Sequence, residues 1–325
     1  MQNLPLVTVI VVTYNSSSFI LETLESVSDQ TWDNIELIIS DDCSTDDTVK
    51  MCYNWLETNK KRFTTVEIIT SGENTGVSAN ANRGLKVSKG DWVKFLGADD
   101  TLKPQCLEDN MLWIFMHPEA RVLFSRIEVY RDTFETQNLL YTIPGDPFDP
   151  NSITAPGKSA ESQYRLLLLS DRIHFSPSVF LHRETVISIG GFDERYKLLE
   201  DYPLWLNLTR TGHKLCFMDK VTVNYRRHSK AINNTVKSYV VNPNYFKSEE
   251  FRTEYTYPFL PTDIRLNQRF VWYVSQIFRI KLINNNKRVF KVLNTTLTIW
   301  LNPFRYFIWL RKYLNKDLKQ NDFYI

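Results

Sequence analysis

The 325-residue chain is short of features that would set it apart from ordinary globular proteins. Its four cysteines, Cys43, Cys52, Cys106 and Cys216, form no CxxC pair and have no histidine cluster beside them. That argues against a disulfide scaffold and a cysteine-built zinc site, and predicts reduced thiols that are buried or half-buried. No run of about 18 apolar residues occurs, so no transmembrane helix is expected. The opening Met-Gln-Asn-Leu-Pro carries neither a basic n-region nor an apolar h-region, so no secretory signal is expected and a cytoplasmic protein is the default. There is no internal repeat and no low-complexity segment.

What is present fits a soluble fold with a sizeable core: 43% hydrophobic and 23% charged residues. Collagen-like and fully disordered chains are excluded on the same grounds. The formal net charge of +2 hides an asymmetry. Residues 265–325 hold twelve Lys/Arg against Asp317 and Asp322, a net of +10, which leaves −8 on the remainder. An acidic body with a basic tail points the tail at an anionic surface.

Residues 7–13, VTVIVVT, form a β-branched run too short for a helix and typical of a strand buried on both faces. Asn15 and three serines follow as an N-cap region, and Ile20, Leu21, Leu24 and Val27 mark an amphipathic helix. Residues 35–40, 66–70 and 92–97 read as further strands, with helices to about residue 60 and over 76–90 between them. Strands alternating with helices predict βαβ units and a mostly parallel sheet, with ligands at the carboxyl ends of the strands. Strands are also expected at 121–129, 176–182 and 220–225, with a Pro-rich loop over 141–158, a turn at 190–193 and a short helix over 202–210.

Three of the first four strands end in polar groups: Thr13-Tyr14-Asn15, Asp41-Asp42 and Asp99-Asp100. Two adjacent carboxylates repel each other unless a cation neutralises them. Mg²⁺ or Mn²⁺ typically takes one or two protein carboxylates plus substrate phosphates. Solvated, helix-capping aspartates are the plainer explanation of either pair alone. Glu200-Asp201 opens a helix, where the macrodipole already favours an acid; the functional alternative is a general base for an attacking hydroxyl.

The specificity lies in the ordered conjunction: strand-Thr-Tyr-Asn, strand-Asp-Asp, Gly-Val-Ser-Ala-Asn-Ala-Asn-Arg-Gly at 76–84, Gly-Ala-Asp-Asp at 97–100, Gly-Gly-Phe-Asp-Glu at 190–194 and Glu-Asp-Tyr-Pro-Leu-Trp at 200–205. Over residues 5–228 the chain resembles the family 2 glycosyltransferases of GT-A fold, of the kind that build surface polysaccharides. The resemblance implies an α/β, Rossmann-like, mostly parallel sheet flanked by helices. It implies a catalytic domain over 1–230, with a nucleotide-sugar half at 1–102 and an acceptor half at 103–230. A helical, basic-aromatic extension over 231–325 would follow.

The same resemblance assigns roles. Thr13, Tyr14 and Asn15 would meet the nucleotide, with the base near Tyr14, and Asp42 would hydrogen-bond the base. Asp99 would face the ribose, and Asp100 would bind Mn²⁺ or Mg²⁺ on the diphosphate, with Asp99 and His228 also near the metal. Arg226 and Arg227 would close over the diphosphate with His228, and Asp201 would be the catalytic base. Two departures stand out. Gly97 occupies the first place of an Asp-x-Asp-Asp motif, which throws more of the metal shell onto Asp100. Ala81 stands where many members have Arg, so a diphosphate contact is either lost or moved to Arg83 or to Arg226 and Arg227; Asn82 and Arg83 are counted with the nucleotide-side residues.

His174, Glu200 and Trp205 are candidates for the acceptor side; a satisfied polar residue and a core tryptophan are the plain alternatives for His174 and Trp205. The tail carries 13 aromatics in its 61 residues, and its run over 298–314 is broken by Pro303 and Arg305. Basic and aromatic residues mixed on short helices fit an interfacial membrane contact. The expectation is an inverting, metal-dependent enzyme, peripheral on the inner face of the cytoplasmic membrane. It would take a UDP-sugar donor and a lipid-linked saccharide acceptor. A protein or soluble glycan acceptor and a catalytically silent nucleotide-sugar scaffold are the alternatives. A nucleotidyltransferase would show a Gly-rich basic loop after the first strand, which is absent, and no nucleic-acid recognition module is visible.

Overall fold

The β-branched runs become the centre of a sheet in the computed structural model, which describes residues 4–196, 201–229, 239–285, 287–315 and 322–324. The first half alternates strictly: β1 (Val7–Thr13), α1 (Ile20–Ser28), β2 (Ile35–Asp41), α2 (Thr48–Asn59), β3 (Thr65–Thr70), α3 (Val77–Val87) and β4 (Trp92–Gly97). β1 pairs in parallel with β2 on one side and β4 on the other, and β3 adds to β2. Val7, Val9, Ile10 and Val11 are fully buried, as a two-sided parallel strand requires.

The second half departs from simple alternation. It runs β5 (Thr101–Leu102), α4 (Cys106–Met116), β6 (Val122–Arg131), β7 (Leu139–Ile143), α5 (Ala160–Leu169), β8 (Phe180–His182), α6 (Arg183–Ser188), α7 (Asp201–Arg210) and β9 (Leu215–Arg227). The sheet order is β3-β2-β1-β4-β8-β6-β9-β5, with β7 paired to β6. β8 is antiparallel to both β4 and β6, while β6 and β9 run parallel, so the sheet is mixed but mostly parallel.

Residues 176–182 were expected to be one strand. Only Phe180–His182 is, preceded by a 3₁₀ turn over Ser176–Ser178. The ammonium of Lys94, fully buried in β4, donates to the carbonyls of Pro177 (2.7 Å) and Val179 (3.2 Å), and the Ser178 hydroxyl accepts from the Ser125 amide. These side chains take the groups a longer ladder would have used. β9 is longer than the expected 220–225 because its first residues pair with the start of β6, with register shifts around Arg126. β7 takes up the beginning of the expected 141–158 loop.

By its contacts the chain divides into two units, Met1–Gln163 with Arg172–Ala231, and Tyr164–Asp171 with Ile232–Ile325. The second is helical: α8 (Glu249–Tyr255), α9 (Thr262–Gln276), α10 (Arg288–Thr295), a π-helical turn (Thr296–Trp300) and α11 (Pro303–Leu314). All four cysteines are free thiols. Among the described residues no helix is long and apolar enough to cross a membrane.

Helix α3 lies close against the sheet because Gly84 has no side chain. A Cβ there would sit 2.5 Å from Cγ2 of the buried Ile10. Gly84→Ala is therefore expected to lower stability by about 1–3 kcal/mol despite the better helix propensity of alanine. Thermal unfolding checks this, and a variant as stable as the parent would show that the contact yields freely.

Candidate active site

The polar ends of β1, β2 and β4 meet at one edge of the sheet. Backbone bonds show it: the Asp42 amide donates to the Thr13 carbonyl (3.0 Å) and the Ala98 amide to Val12 (3.1 Å). Beyond β1, Tyr14 is 47% exposed and presents a ring to solvent. Asn15 has a positive φ of 49°, and its side-chain oxygen accepts from the Thr45 amide at 2.8 Å. Asn15 thus ties the β1 end to the loop after β2. Thr13 is buried, and its hydroxyl has no hydrogen-bond partner among the described residues; the same holds for Ser78 in the first turn of α3.

The carboxylates that look alike in the sequence sit in opposite environments. Asp42 is buried and saturated. It accepts from Arg83 (2.6 Å), from the Thr75 hydroxyl (2.7 Å) and amide (3.1 Å), and from the Gly76 amide (2.7 Å). Burial alone would push its pKa up; the hydrogen bonds from Arg83, Thr75 and Gly76 outweigh it and hold the carboxyl below its usual range. Asp41 accepts from the amide and hydroxyl of Ser44. This second strand end is a scaffold that fixes the entry to α3.

Asp100 is the reverse case. It is 3% exposed and accepts from the Arg226 amide at 2.9 Å. Burial, then the neighbouring Asp99, push its pKa well above the normal carboxylate value. The lack of a side chain at Gly97 lets the pair approach it closely: a Cβ there would stand 2.9 Å from Oδ1 of Asp99 and 3.5 Å from Oδ2 of Asp100. His228 Nε2 lies 3.0 Å from Oδ2 of Asp99, and its ring packs on Phe19 with centroids 4.5 Å apart. Among the described residues no three His, Cys, Asp or Glu side chains gather as a metal cluster. The arrangement therefore does not cage a cation. It fits one that brings its own phosphate and water oxygens and takes one or two carboxylates from the protein.

Arg226 was expected over the diphosphate, but it is buried and fully occupied. Nε donates to the Asp99 carbonyl at 2.8 Å, and the two terminal nitrogens reach the Asp132 carbonyl and the Glu22 carboxylate. The rings of Phe134 and Phe19 lie 4.0 and 4.9 Å from its guanidinium carbon. Arg227 remains half-exposed, with a 3.2 Å contact to the Tyr141 hydroxyl.

Other expected residues are also committed elsewhere. Asn82 exchanges hydrogen bonds with the Phe192 backbone (both 2.9 Å) and donates to Glu194 (2.8 Å), so it anchors the 190–194 turn. Arg83 is held by Asp42, Thr75 and Asn80. Trp205 is completely buried, edge-on to Phe124 at 5.0 Å, and so offers no floor to an acceptor. His174 is exposed, on the segment before the 3₁₀ turn at 176. Asp201 is the first residue of α7 and half-buried. Glu200 lies outside the described residues. Glu22, Thr75 and Lys94 were not among the expected site residues, and Asn80 was included only within the 76–84 motif, with no role of its own. Only Lys94 had a visible signal, a lone cation within an apolar strand run.

With this geometry in view, comparison with known proteins is decisive. The profile of "Glycosyl transferase family 2" matches residues 8–174, just over half the chain. The chain belongs to glycosyl transferase family 2. A relative within the family is Escherichia coli WfaP, named as a UDP-Glc:alpha-D-GlcNAc-diphosphoundecaprenol beta-1,3-glucosyltransferase. It is 31% identical over 246 residues, 75% of this chain and 86% of WfaP. Against one uncharacterized glycosyltransferase of Haemophilus influenzae the match spans 62% of that protein. Among solved structures, Staphylococcus aureus TarS residues 1–349 with UDP-GlcNAc superposes with a TM-score of 0.60 at 17% identity, over 92% of this chain and 82% of TarS. A Pyrobaculum calidifontis mannosyltransferase solved with GDP-Man and Mn²⁺ gives 0.52 at 18% identity, over 96% of this chain and 76% of that one. The fold of this family 2 member is GT-A.

Two stability outcomes follow. Asp42→Asn removes the anionic partner of Arg83 and is expected to cost about 2 kcal/mol at neutral pH. Because the folded pKa is depressed, this contribution is present above the unfolded value of about 4 and vanishes as pH falls through the lower folded value. Denaturant melts of parent and variant at neutral and acid pH should converge on acidification; a gap independent of pH would contradict the ion-pair account. Arg226→Lys keeps the charge but not the three-way fork, and should lower stability by about 2 kcal/mol. An unchanged melting midpoint would mean that the guanidinium contacts are dispensable.

Proposed function

We propose that the chain is an inverting glycosyltransferase of surface-polysaccharide synthesis. It would take a nucleotide-diphospho-sugar, a UDP-sugar, and transfer the sugar to a hydroxyl of a lipid-linked saccharide at the inner face of the cytoplasmic membrane. The observation that carries this is Asp100. It is a buried carboxylate at the end of β4 whose pKa is pushed up first by burial and then by Asp99, with Gly97 leaving room for the Asp99 carboxylate. The donor and lipid-linked acceptor in the name of WfaP support the choice of substrates, and the UDP-GlcNAc bound to TarS supports the nucleotide.

The residues divide the work. Tyr14 offers a half-exposed ring to the base, with Thr13 behind it. Asp42 and Arg83 fix the Thr75-Gly76 turn that leads into α3 and form the wall of the nucleotide side. Asp100 and Asp99, with His228 against Asp99, would hold a divalent cation, Mn²⁺ or Mg²⁺, which when bound supplies positive charge to the diphosphate. Asp201, at the N-terminus of α7, takes the proton of the acceptor hydroxyl. The freed oxygen forms a bond to the anomeric carbon as the bond from that carbon to the diphosphate oxygen breaks on the opposite face. The electron pair leaves with the nucleoside diphosphate, and one displacement inverts the centre.

Titration calorimetry with UDP, GDP and UDP-sugars, with and without Mn²⁺, tests the reading, followed by turnover on a lipid-linked saccharide. Asp100→Ala should abolish metal-dependent nucleotide binding. Asp201→Asn should keep that binding within about twofold and lower turnover by about 10³-fold. Absence of nucleotide binding under every metal condition would overturn the donor site. A silent scaffold would bind nucleotide and never turn it over.

A further inference from the structure

The exposed apolar surface of the described residues is concentrated in the helical unit. Of the large, exposed hydrophobic side chains among all the described residues, half lie between Tyr273 and Leu314. α11 shows how they are arranged. Its inner side is fixed to α9 by Phe304, which meets Phe270 at 6.0 Å, and one helical repeat later by Arg311, which pairs with Asp263 at 2.9 Å. At 3.6 residues per turn, Tyr306, Trp309, Leu310 and Tyr313 point to the opposite side, and all are exposed, Trp309 at 63%. Arg305 and Lys312 border this stripe along one side. α10 repeats the pattern, with Val289, Val292 and Leu293 exposed on one face and Lys287, Arg288 and Lys291 on the other. Between the two helices, Trp300 and Leu301 are also exposed, at 65% and 62%.

A water-soluble surface rarely leaves so large an apolar stripe uncovered. The charge on its borders indicates what covers it. Residues 281–315 contain seven Lys/Arg and no Asp or Glu. Two such faces brought together would repel each other, whereas an anionic bilayer would attract both. α11 has 12 residues and is about 18 Å long, too short to cross a hydrocarbon core of about 30 Å. Tryptophan and tyrosine beside lysine and arginine is the composition of a helix lying in the headgroup layer.

We propose that α10, the Trp300-Leu301 corner and α11 form a platform that seats the protein on an anionic phospholipid surface. The apolar stripe enters the headgroup boundary, and Lys287, Arg288, Lys291, Arg305 and Lys312 meet lipid phosphates. The platform deepens the peripheral-membrane reading above but does not need the transfer reaction.

Co-sedimentation of the full chain with vesicles that contain no acceptor tests it, using phosphatidylcholine alone and phosphatidylcholine mixed with phosphatidylglycerol at about 3:1. The wild type should pellet with the mixed vesicles and release at high salt. Trp309→Ser combined with Leu310→Ser should weaken this by about tenfold or more. Arg305→Glu combined with Lys312→Glu should remove the preference for the mixed vesicles. Circular dichroism and UDP titration on the same samples separate this outcome from misfolding and from failure of the donor site. Three results would overturn the proposal: a wild type that stays in the supernatant with both vesicles, variants that bind as the wild type does, or a vesicle-free dimer that the Trp309→Ser, Leu310→Ser variant dissolves.

Discussion

The buried guanidinium of Arg226 is the constraint on which the candidate site depends. It sits near the end of β9, yet its contacts reach α1 through Glu22, the β4 end through the Asp99 carbonyl, and the bend after β6 through the Asp132 carbonyl. Burying a cation without partners would cost several kcal/mol. Here three nitrogens are satisfied and two aromatic rings flank the plane, an arrangement suited to a delocalised cation. The Arg226 backbone amide also donates to Asp100. One residue thus joins the regular βαβ half to the mixed half, and it does so at the Asp99-Asp100 corner.

That joint explains how the two acidic strand ends come to differ. Asp41 and Asp42 are answered locally: serine, threonine and glycine groups from adjacent loops, with Arg83, satisfy them. Their negative charge is spent on holding loops. Asp100 is held in place by a backbone donor while its charge is opposed by burial first and then by Asp99. Lys94 gives distant electrostatic relief, but its ammonium is spent on two carbonyls, and burial pushes its own pKa down to about 8. The charges of Arg226 and Lys94 thus offset the burial of Asp100 and its repulsion by Asp99 only in part. On the proposed reading a diphosphate carrying a divalent cation would supply the remaining positive charge, with Gly97 standing where a longer acidic motif would put a further carboxylate.

What the sequence made legible follows from the range of the interactions involved. β1, β2 and β4 could be read because burial on both faces forces continuous apolar runs, and the rule that parallel sheets bind ligands at their carboxyl ends located Tyr14, Asp42 and Asp100 together. The partners of these residues were not legible. Glu22 and Arg226 are 204 positions apart, and Asn82 and Phe192 are 110 apart. No local pattern announces such pairs. The strand expected over 176–182 was shortened by a lysine more than 80 residues away. Trp205 illustrates the ambiguity of a lone aromatic on a helix: the same spacing serves a ligand floor or a core, and Phe124 decides for the core.

The C-terminal helices obey a different logic. A helix docked on one neighbour needs a single apolar stripe, and the opposite face is free to be polar at little cost. α11 instead carries apolar residues on both sides, and the second set includes Trp309 and Tyr313, whose rings stack at 5.8 Å while remaining exposed. Water penalises that choice, so it persists in a sequence only where something other than water meets it. For an acceptor anchored in a bilayer, holding the enzyme on the same surface replaces a bulk encounter with one inside a thin layer and raises the effective concentration without any new contact to the sugar. On the proposed reading, affinity for the membrane would do part of the work that a tight saccharide pocket would otherwise have to do. On this reading Trp205, withdrawn into the core, is no loss to the acceptor side: capture is delegated to the surface, and the site has only to position a hydroxyl.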